Sequence, residues 1–555
     1  MTRSKRLHMA SYVMQGPTAL RRGLHRFGRD ESGAVVIFSI FMFICMLMVG
    51  GVGIDLMRFE RDRMALQNTL DRAVLAAADL DQTQPAEEVV RDYFNKAGVG
   101  AYLQSVTVDE GIGYRSVSAK AKSDLDTYFL KLFDIDTLSA PASGRAEERI
   151  DGIEISLVLD VSGSMGSNSR LTRLKPAAKA FVDIVLASAE QDNVSISVVP
   201  YSTQVAIGEQ ILSKYNVSNE HNYSHCVNFI PNEYSRTDLS RVDPLERTAH
   251  FDPWYTRELS QHGESRFMRV CPPSPHLQVM PFSNTRLDLH DYIDGLTAGG
   301  NTSIDIGMKW GTVLLDPSTQ SVVTELIAEG ELAASFEGRP SSYTDGKTLK
   351  VIVLMTDGEN TNQYMINPSL RDGLSDVWYN AQEGRYSVQH DQGGNTLYWW
   401  PESERWESHP YGNGTRSVCG WKWEYNNWYY RCSEQEEPGD AVRLSYPELF
   451  NRVSLAYLAS YIYTYQGNAW SVWYHNARTY MNGTAKDQHT NHICDAAKDQ
   501  GIVVYTVGFE APKSGQRVLK RCASSDSHHF DVDGLEIADA FAAIAASISK
   551  LRLVQ

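Results

Sequence analysis

The feature that most constrains this chain is a run of 21 residues without a charge, Ala34–Ile54. A helix of this length spans roughly 30 Å, the thickness of the hydrocarbon core of a bilayer. The apolar region of a cleaved signal peptide is shorter, at about 7–15 residues. A buried core helix would show a polar stripe, whereas Ser39 is the one polar side chain here. We therefore predict a retained transmembrane helix over residues 34–54.

Charge is distributed unevenly around this run. Residues 1–29 contain seven of the 52 Lys and Arg residues and no Asp or Glu, so we treat residues 1–33 as a basic leader. The excess of positive charge on this side predicts a cytoplasmic N-terminus and places residues 55–555 outside the cytoplasm. The rest of the chain has 45 basic and 68 acidic residues, a net charge of −23. This acidity argues against nucleic acid as a partner, because phosphate binding needs a concentrated basic surface.

Cysteine usage agrees with an oxidising compartment. One cysteine, Cys45, lies in the predicted span, and six lie beyond it. None of the six has the spacing of a zinc site, so disulfides are the better interpretation. Several pairings remain open, and we favour pairing of neighbours: Cys226–Cys271, Cys419–Cys432 and Cys494–Cys522.

A helical extension is predicted over residues 55–84. Its mostly small or leucine side chains recur at heptad-like spacing, at Leu66, Leu70, Ala73, Ala77 and Leu80. This stripe can pack on the chain's own next domain or on a neighbouring helix of the same kind. Residues 85–150 then read as a small α/β module with one helix and three strands.

Alternating apolar strands and helices fill residues 151–555. This pattern predicts an α/β fold in which a doubly wound, mostly parallel sheet carries helices on both faces. Two stretches, 208–285 and 361–455, far exceed the connections of about 2–6 residues usual in such folds, so they are predicted insertions.

The second insertion is rich in tryptophan. Its rings can form the core of a disulfide-tied subdomain, or they can bind a protein partner or stack on the sugar rings of a glycan. The residues concerned are Trp378, Trp399, Trp400, Trp406, Trp421, Trp423 and Trp428.

Short oxygen-bearing side chains follow three of the predicted strands and loops. Asp160, Ser162 and Ser164 form a D-x-S-x-S pattern directly after a strand, Thr302 lies in a glycine-rich loop before a helix, and Asp357 ends a nearly pure apolar strand. The carboxyl ends of parallel strands meet at one edge of the sheet, where ligands bind. Hard oxygen donors suit Mg²⁺, or another divalent cation such as Mn²⁺ or Ca²⁺. A helix N-cap with turn serines would explain D-x-S-x-S alone, but three such elements in this order predict a metal site.

Residues 153–205, 286–360 and 490–550 resemble a von Willebrand factor type A domain. Asp160, Ser162, Ser164, Thr302 and Asp357 match the five positions of its metal-ion-dependent adhesion site. The resemblance implies that the serines and Thr302 ligate directly, that Asp160 and Asp357 act largely through water, and that the ion receives an acidic side chain of a protein partner.

A second resemblance covers both ends of the chain. The segments RDESGAVVIFSIFMF, GVGID and LQNTLDRAVLAAADL, with AFAAIAASISKLRL near the C-terminus, are similar to TadG-type proteins of the bacterial tight-adherence (Flp/Tad) pilus system. This implies a membrane-bound accessory protein of pilus assembly or surface adhesion, working beside pilin-like subunits or other Tad components. With the charge distribution described above, we expect a single-pass protein of the inner membrane with a periplasmic bulk. Processed pilin precursors carry Glu five residues after the cleavage glycine, but the position counted from Gly33 is Phe38. A permanent anchor therefore fits better than a shaft subunit.

Two other function classes compete with this interpretation. A serine hydrolase would use Ser162 or Ser164, but neither lies in a G-x-S-x-G elbow, and the candidate bases His528 and His529 follow a distant strand. A scaffold or chaperone for another envelope complex is the nearer alternative. We expect a binding protein rather than an enzyme.

Overall fold

The computed structural model describes residues 32–79, 82–111, 114–149, 152–187, 193–254, 269–345 and 347–550. The basic leader lies outside these residues, apart from its last two positions. The chain divides into two compact units, one made of residues 1–110 and 115–148 and the other of residues 111–114 and 149–555.

The first unit is built on one long helix, α1 (Ser32–Ala78), followed by α2 (Ala86–Lys96). A three-stranded sheet completes it, with neighbouring strands in chain order: β1 (Leu103–Gly111), β2 (Tyr114–Asp126) and β3 (Thr137–Arg149). Of the helices in the described ranges, α1 is the one long and apolar enough to cross a membrane. Its apolar window is almost entirely exposed, as expected for a surface that lipid would cover.

The outer half of α1 packs on the unit's own sheet and on α2. Leu66, Leu70, Ala73 and Ala77 are buried with Val90 and other residues of α2 and of β2 and β3. Leu80 lies outside the described residues. The heptad-like stripe therefore docks within its own unit, the first of the two alternatives that its spacing left open.

The second unit contains seventeen of the described strands. They are β4 (Gly152–Asp160), β5 (Val194–Tyr201), β6 (Val227–Asn228), β7 (Glu246–Arg247), β8 (Met280–Ser283), β9 (Thr348–Thr356), β10 (Gln363–Ile366), β11 (Leu374–Asn380), β12 (Arg385–Gln392), β13 (Asn395–Trp400), β14 (Arg405–Glu407), β15 (Thr415–Glu424), β16 (Asn427–Glu436), β17 (Ala441–Ser445), β18 (Arg478–Met481), β19 (Val503–Phe509) and β20 (His529–Val532).

The α-helices of this unit lie between these strands and after the last of them. They are α3 (Arg170–Ala187), α4 (Glu209–Leu212), α5 (Arg286–Gly295), α6 (Ile304–Val313), α7 (Gln320–Ala328), α8 (Tyr446–Arg452), α9 (Leu455–Tyr457), α10 (Gly483–Asp499), α11 (Lys513–Cys522) and α12 (Glu536–Lys550).

The main sheet has six strands in the order β20-β19-β9-β4-β5-β8. The pairs from β20 to β5 are parallel, and β8 pairs antiparallel with β5. Successive side chains of a strand face opposite sides of the sheet. Val158 and Val504 accordingly pack against α6, α7, α10 and α11, while Leu157 and Val507 pack against α3, α5 and α12. Both faces of the sheet are thus covered, and the predicted mixed α/β class is confirmed.

The long stretches between main-sheet strands form a second core. Strands β14-β13-β12-β11-β17 make an antiparallel sheet, and β15 pairs with β16 in a separate hairpin. Phe251 and Val270, from the first stretch, share one core with Val377 and Leu449, from the second. This core continues to Ala477, past the predicted insertion end at residue 455, because the apolar residues that follow α8 pack into it. Strand β8, inside the predicted first insertion, instead joins the main sheet.

Three disulfides link neighbouring cysteines, as predicted: Cys226–Cys271, Cys419–Cys432 and Cys494–Cys522. Cys419 and Cys432 are cross-strand partners in the β15–β16 hairpin, while Cys494 and Cys522 join α10 to α11.

Peptide mapping of the purified protein under non-reducing conditions is expected to recover these three linked peptides and Cys45 as a free thiol. The pairs are already in bonding position in the folded chain, so no rearrangement is needed. Free thiols at any of the six positions would contradict an oxidising location.

Candidate functional site

The site begins where β4 ends at the carboxyl edge of the main sheet. Asp160 is fully buried there, because β5 and β9 flank the strand on both sides. Its two carboxylate oxygens accept hydrogen bonds from the Ser162 amide (2.7 Å) and from the Thr356 hydroxyl (2.6 Å). These bonds fix the carboxylate and turn the following chain away from the strand.

The turn brings Ser162 and Ser164 beside the end of β9. Their hydroxyl oxygens lie 3.1 Å apart, and Ser164 Oγ donates to Asp357 Oδ1 at 2.6 Å. The loop after β4 and the loop after β9, which are far apart in the sequence, are therefore in direct contact. The predicted D-x-S-x-S loop and Asp357 form one cluster.

Thr302 reaches the same cluster from the glycine-rich loop. Its Oγ1 would lie 3.6 Å, and Ser164 Oγ 4.0 Å, from a β-carbon placed on Gly358, so both hydroxyls flank that glycine. The Gly163 amide donates to the carbonyl of Gly300 (2.9 Å), which ties the two loops together. All five predicted residues thus lie at one edge of the sheet.

Negative charge is crowded at this edge. Burial, reinforced by the charge of Asp357, raises the pKa of Asp160 to about 7. Arg170, in the first turn of α3, compensates from one side: its Nη1 donates to Asp357 Oδ2 (2.9 Å) and its Nε to Glu510 (2.8 Å). Arg170 holds the oxygen of Asp357 that faces away from Ser164, which leaves Oδ1 directed at the hydroxyls.

A buried lysine supports the glycine-rich loop from behind. Lys486 of α10 is fully buried and donates to the Thr302 carbonyl (2.8 Å), to Ser303 Oγ (2.6 Å) and to the Thr361 carbonyl (2.9 Å). Burial lowers its pKa to about 8. Neither Lys486 nor Arg170 was predicted from the sequence. Lys486 lies in a helix far along the chain from the predicted residues, and the sequence does not show which residues Arg170 faces. Only the folded structure brings them to the site.

The donors present fit a small hard cation. Two carboxylates and three hydroxyls converge, which suits Mg²⁺, an ion that usually keeps several waters and takes one or two carboxylates from the protein. Asp160 is also the kind of crowded, buried carboxylate that a divalent ion would stabilise in its charged form. Across the described ranges no cluster of three or more His, Cys, Asp or Glu side chains could hold a metal, so any site here depends on the hydroxyls.

The two serines have no histidine partner in the part of the chain that the structure describes. Their hydrogen bonds join them to each other and to Asp357. His529 instead contacts Thr506, and His528 contacts Ser525. The bases that the predicted hydrolase would use, His528 and His529, therefore form no hydrogen bond with either serine among the described residues.

The tryptophans of the second insertion divide into two groups. Trp399 is buried in the second core, and Trp406 is half-buried beside it. Outside that core, Trp400 is buried against Tyr411, and Trp378 is half-buried against Tyr398. The other three are exposed on one face of the β15–β16 hairpin: Trp421, Trp423 and Trp428. The packing interpretation applies to the first group, and a glycan or protein contact stays a prediction for the second.

Comparison with protein families identifies the N-terminal segment. Residues 33–80 match the family described as "Putative Flp pilus-assembly TadE/G-like". The resemblance to TadG-type proteins is therefore confirmed for this segment, which comprises the apolar run and its helical extension. A comparison with curated proteins finds no match.

Several solved structures are similar to the chain. They include the vWF domain of the type V pili tip protein Mfa5 from Porphyromonas gingivalis (14% identity, 73% of this chain, 98% of that chain, TM-score 0.30). The pilus adhesin SpaC from Lactobacillus rhamnosus GG matches at 13% identity, over 80% of this chain and 33% of that one, with a TM-score of 0.28. A point mutant of the PilB minor pilin from Streptococcus sanguinis matches at 13% identity, over 81% and 79%, with a TM-score of 0.28. At these identities and TM-scores the likeness carries no argument about function.

Proposed function

We propose that this chain is a membrane-anchored binding protein of a tight-adherence pilus system, in which a von Willebrand factor type A domain presents Mg²⁺ to an acidic side chain of a protein partner. Asp160, Ser162, Ser164, Thr302 and Asp357 would hold the ion. Bound there, the ion would supply an open position for a carboxylate oxygen. The partner is a pilin-like subunit or another component of the same system.

One observation carries the proposal: five oxygen-bearing side chains from three separate loops meet at the carboxyl edge of a mostly parallel sheet. Ser164 Oγ bonds Asp357 Oδ1 at 2.6 Å, and the loops of Gly163 and Gly300 are joined by a backbone hydrogen bond. An N-cap would need only one of these oxygens. The convergence of all five favours a shared ligand.

The apolar run supports the location. The segment at 33–80 matches a pilus-assembly family, and its helix is long and apolar enough to span a bilayer. With the basic leader on its N-terminal side, the inner membrane with a cytoplasmic N-terminus and a periplasmic bulk is the arrangement we propose.

Site-directed photocrosslinking in the native envelope tests the proposal. A photoreactive benzoylphenylalanine replaces Ser167, an exposed residue just past the site. A partner is expected to crosslink in Mg²⁺, and the crosslink should disappear in EDTA and return when Mg²⁺ is restored, because the ion bridges the two proteins.

The same experiment in an Asp160→Asn background should give no crosslink, while Asp531→Asn, a matched change at an exposed carboxylate of β20, should leave it intact. A crosslink that survives both EDTA and Asp160→Asn would refute ion-mediated binding.

A further inference from the structure

A second candidate membrane contact lies in the first unit, on the connection between β2 and β3. Within the eight residues from Tyr128 to Ile135, four large apolar side chains are exposed, with exposed fractions from 42% to 70%. They are Tyr128, Leu132, Phe133 and Ile135. This apolar loop has no cover within the described part of the first unit, and so dense a group of exposed apolar side chains usually marks a binding surface.

The apolar loop is attached to α1 by a specific cap. The Asp55 carboxylate accepts hydrogen bonds from the backbone amides of Tyr128 (3.1 Å), Phe129 (2.7 Å) and Leu130 (2.9 Å). These three amides open the short 3₁₀ turn Leu130–Phe133, so one carboxylate satisfies the start of that turn. Asp55 is 2% exposed, although it follows directly on the uncharged run of α1.

Two further contacts fix the orientation of the loop. The Phe129 ring lies against Gly51, where an added β-carbon would come within 2.2 Å of its Cδ1. Glycine is therefore the residue that lets the ring reach the helix backbone. One turn beyond Asp55, the Arg58 guanidinium stacks over the Tyr128 ring at 4.2 Å.

The position of these contacts along α1 indicates what would cover the exposed side chains of the loop. The uncharged run ends at Ile54, so Gly51 lies about 5 Å inside that end and Asp55 just outside it. In a bilayer this level is the boundary between hydrocarbon and headgroups, a zone several ångströms thick on each side. The loop's exposed apolar side chains are held at that level by the same helix that would span the membrane.

The composition of the loop fits this boundary. Tyr128 has an apolar ring and a polar hydroxyl, as side chains of the membrane interface commonly do. The Lys131 ammonium pairs with the Asp136 carboxylate at 3.7 Å, and because both side chains are largely exposed it can also reach lipid phosphates. The charges of Asp134 and Asp136 would keep the turn from sinking into hydrocarbon.

We infer that residues 128–135 form an interfacial foot that rests in the outer headgroup layer of the bilayer and fixes the depth of α1 in the membrane. The inference rests on the proposed membrane anchor and adds to it a second lipid-contacting element. It commits to lipid as the occupant, because the loop is continuous with the helix face that lipid would surround.

Spin labels on the full-length protein in vesicles of phosphatidylethanolamine and phosphatidylglycerol test the foot. Cys45 provides a native label position within the span, because the other six cysteines are in disulfides. In a Cys45→Ser background, Leu132→Cys and Phe133→Cys place labels on the foot. Leu75→Cys, equally exposed on α1 but about 30 Å beyond the end of the apolar run, is the matched control.

Power saturation with oxygen and a water-soluble nickel chelate then reports the environment of each label. Labels on the foot are expected to show severalfold lower accessibility to the chelate and higher accessibility to oxygen than the label at position 75. If the Cys45 label is in lipid but the labels on the foot are as accessible to the chelate as the label at position 75, the interfacial foot is refuted while the membrane anchor stands. If the Cys45 label itself is open to the chelate, the anchor proposal fails and the foot fails with it.

Discussion

Asp160→Asn is expected to weaken Mg²⁺ binding by about 10- to 100-fold, or about 1.4–2.7 kcal/mol. The change removes one of the two negative charges at the site while keeping the shape of the side chain. An amide can still accept from the Ser162 amide and donate to Thr356 Oγ1, so the turn after β4 should persist. Titration calorimetry of the folded variant measures the loss directly.

A second readout separates lost binding from lost folding. At an ion concentration 100 times the dissociation constant, bound Mg²⁺ stabilises a protein by about 2.7 kcal/mol, so the wild-type melting temperature should rise with added Mg²⁺. Asp160→Asn should melt normally without the ion and show no rise with it. Thr302→Ala should behave likewise, and Asp531→Asn should match the wild type. Unchanged Mg²⁺ affinity in Asp160→Asn would reject the site.

Trp400→Ala is expected to destabilise the five-stranded antiparallel sheet of the second insertion by about 3–5 kcal/mol. The Trp400 side chain is 5% exposed, its Nε1 donates to the His409 carbonyl (3.0 Å), and its ring packs edge-on to Tyr411 with centroids 5.0 Å apart. Truncation would leave a cavity and an unpaired carbonyl. The measurement is denaturant unfolding monitored by near-ultraviolet circular dichroism, in which the variant's insertion should unfold at a lower denaturant midpoint than the wild type's.

Trp421→Ala supplies the contrast, with an expected effect within about 0.5 kcal/mol. This side chain is 66% exposed on the β15–β16 hairpin and packs mainly on its cross-strand neighbour Tyr430. If both substitutions lowered the stability equally, the exposed aromatic side chains of the β15–β16 hairpin would have to belong to a core. Loss of surface attachment in Trp421→Ala at unchanged stability would favour a binding role.

The sequence predicted the parts of the site that depend on local pattern. Asp160 and Asp357 end apolar strands, and a parallel arrangement alone brings strand ends to one edge. It could not predict Arg170 or Lys486, since their roles depend on how α3 and α10 pack rather than on any motif. Lys486 in particular is a charge in a fully buried position, where side-chain type argues against burial.

The fold was predicted with similar limits. Periodicity identified five of the six strands of the main sheet, but β8 was assigned to the first insertion. The end of the second insertion was placed at 455, although the second core continues to Ala477. The foot was missed for a related reason. Residues 128–135 are apolar enough to suggest burial, and only the folded structure shows that several of them are exposed, beside the contacts with Gly51 and Asp55 at the end of the uncharged run.

The core shared by the two insertions bears on how this protein can be shortened. Phe251 and Val270, from the first insertion, pack among residues of the second insertion. Deleting one insertion would therefore expose to water the apolar side chains of the other. A shortened domain should therefore lack both insertions or keep both. The two insertions form one structural unit that is connected to the main sheet at two places in the chain.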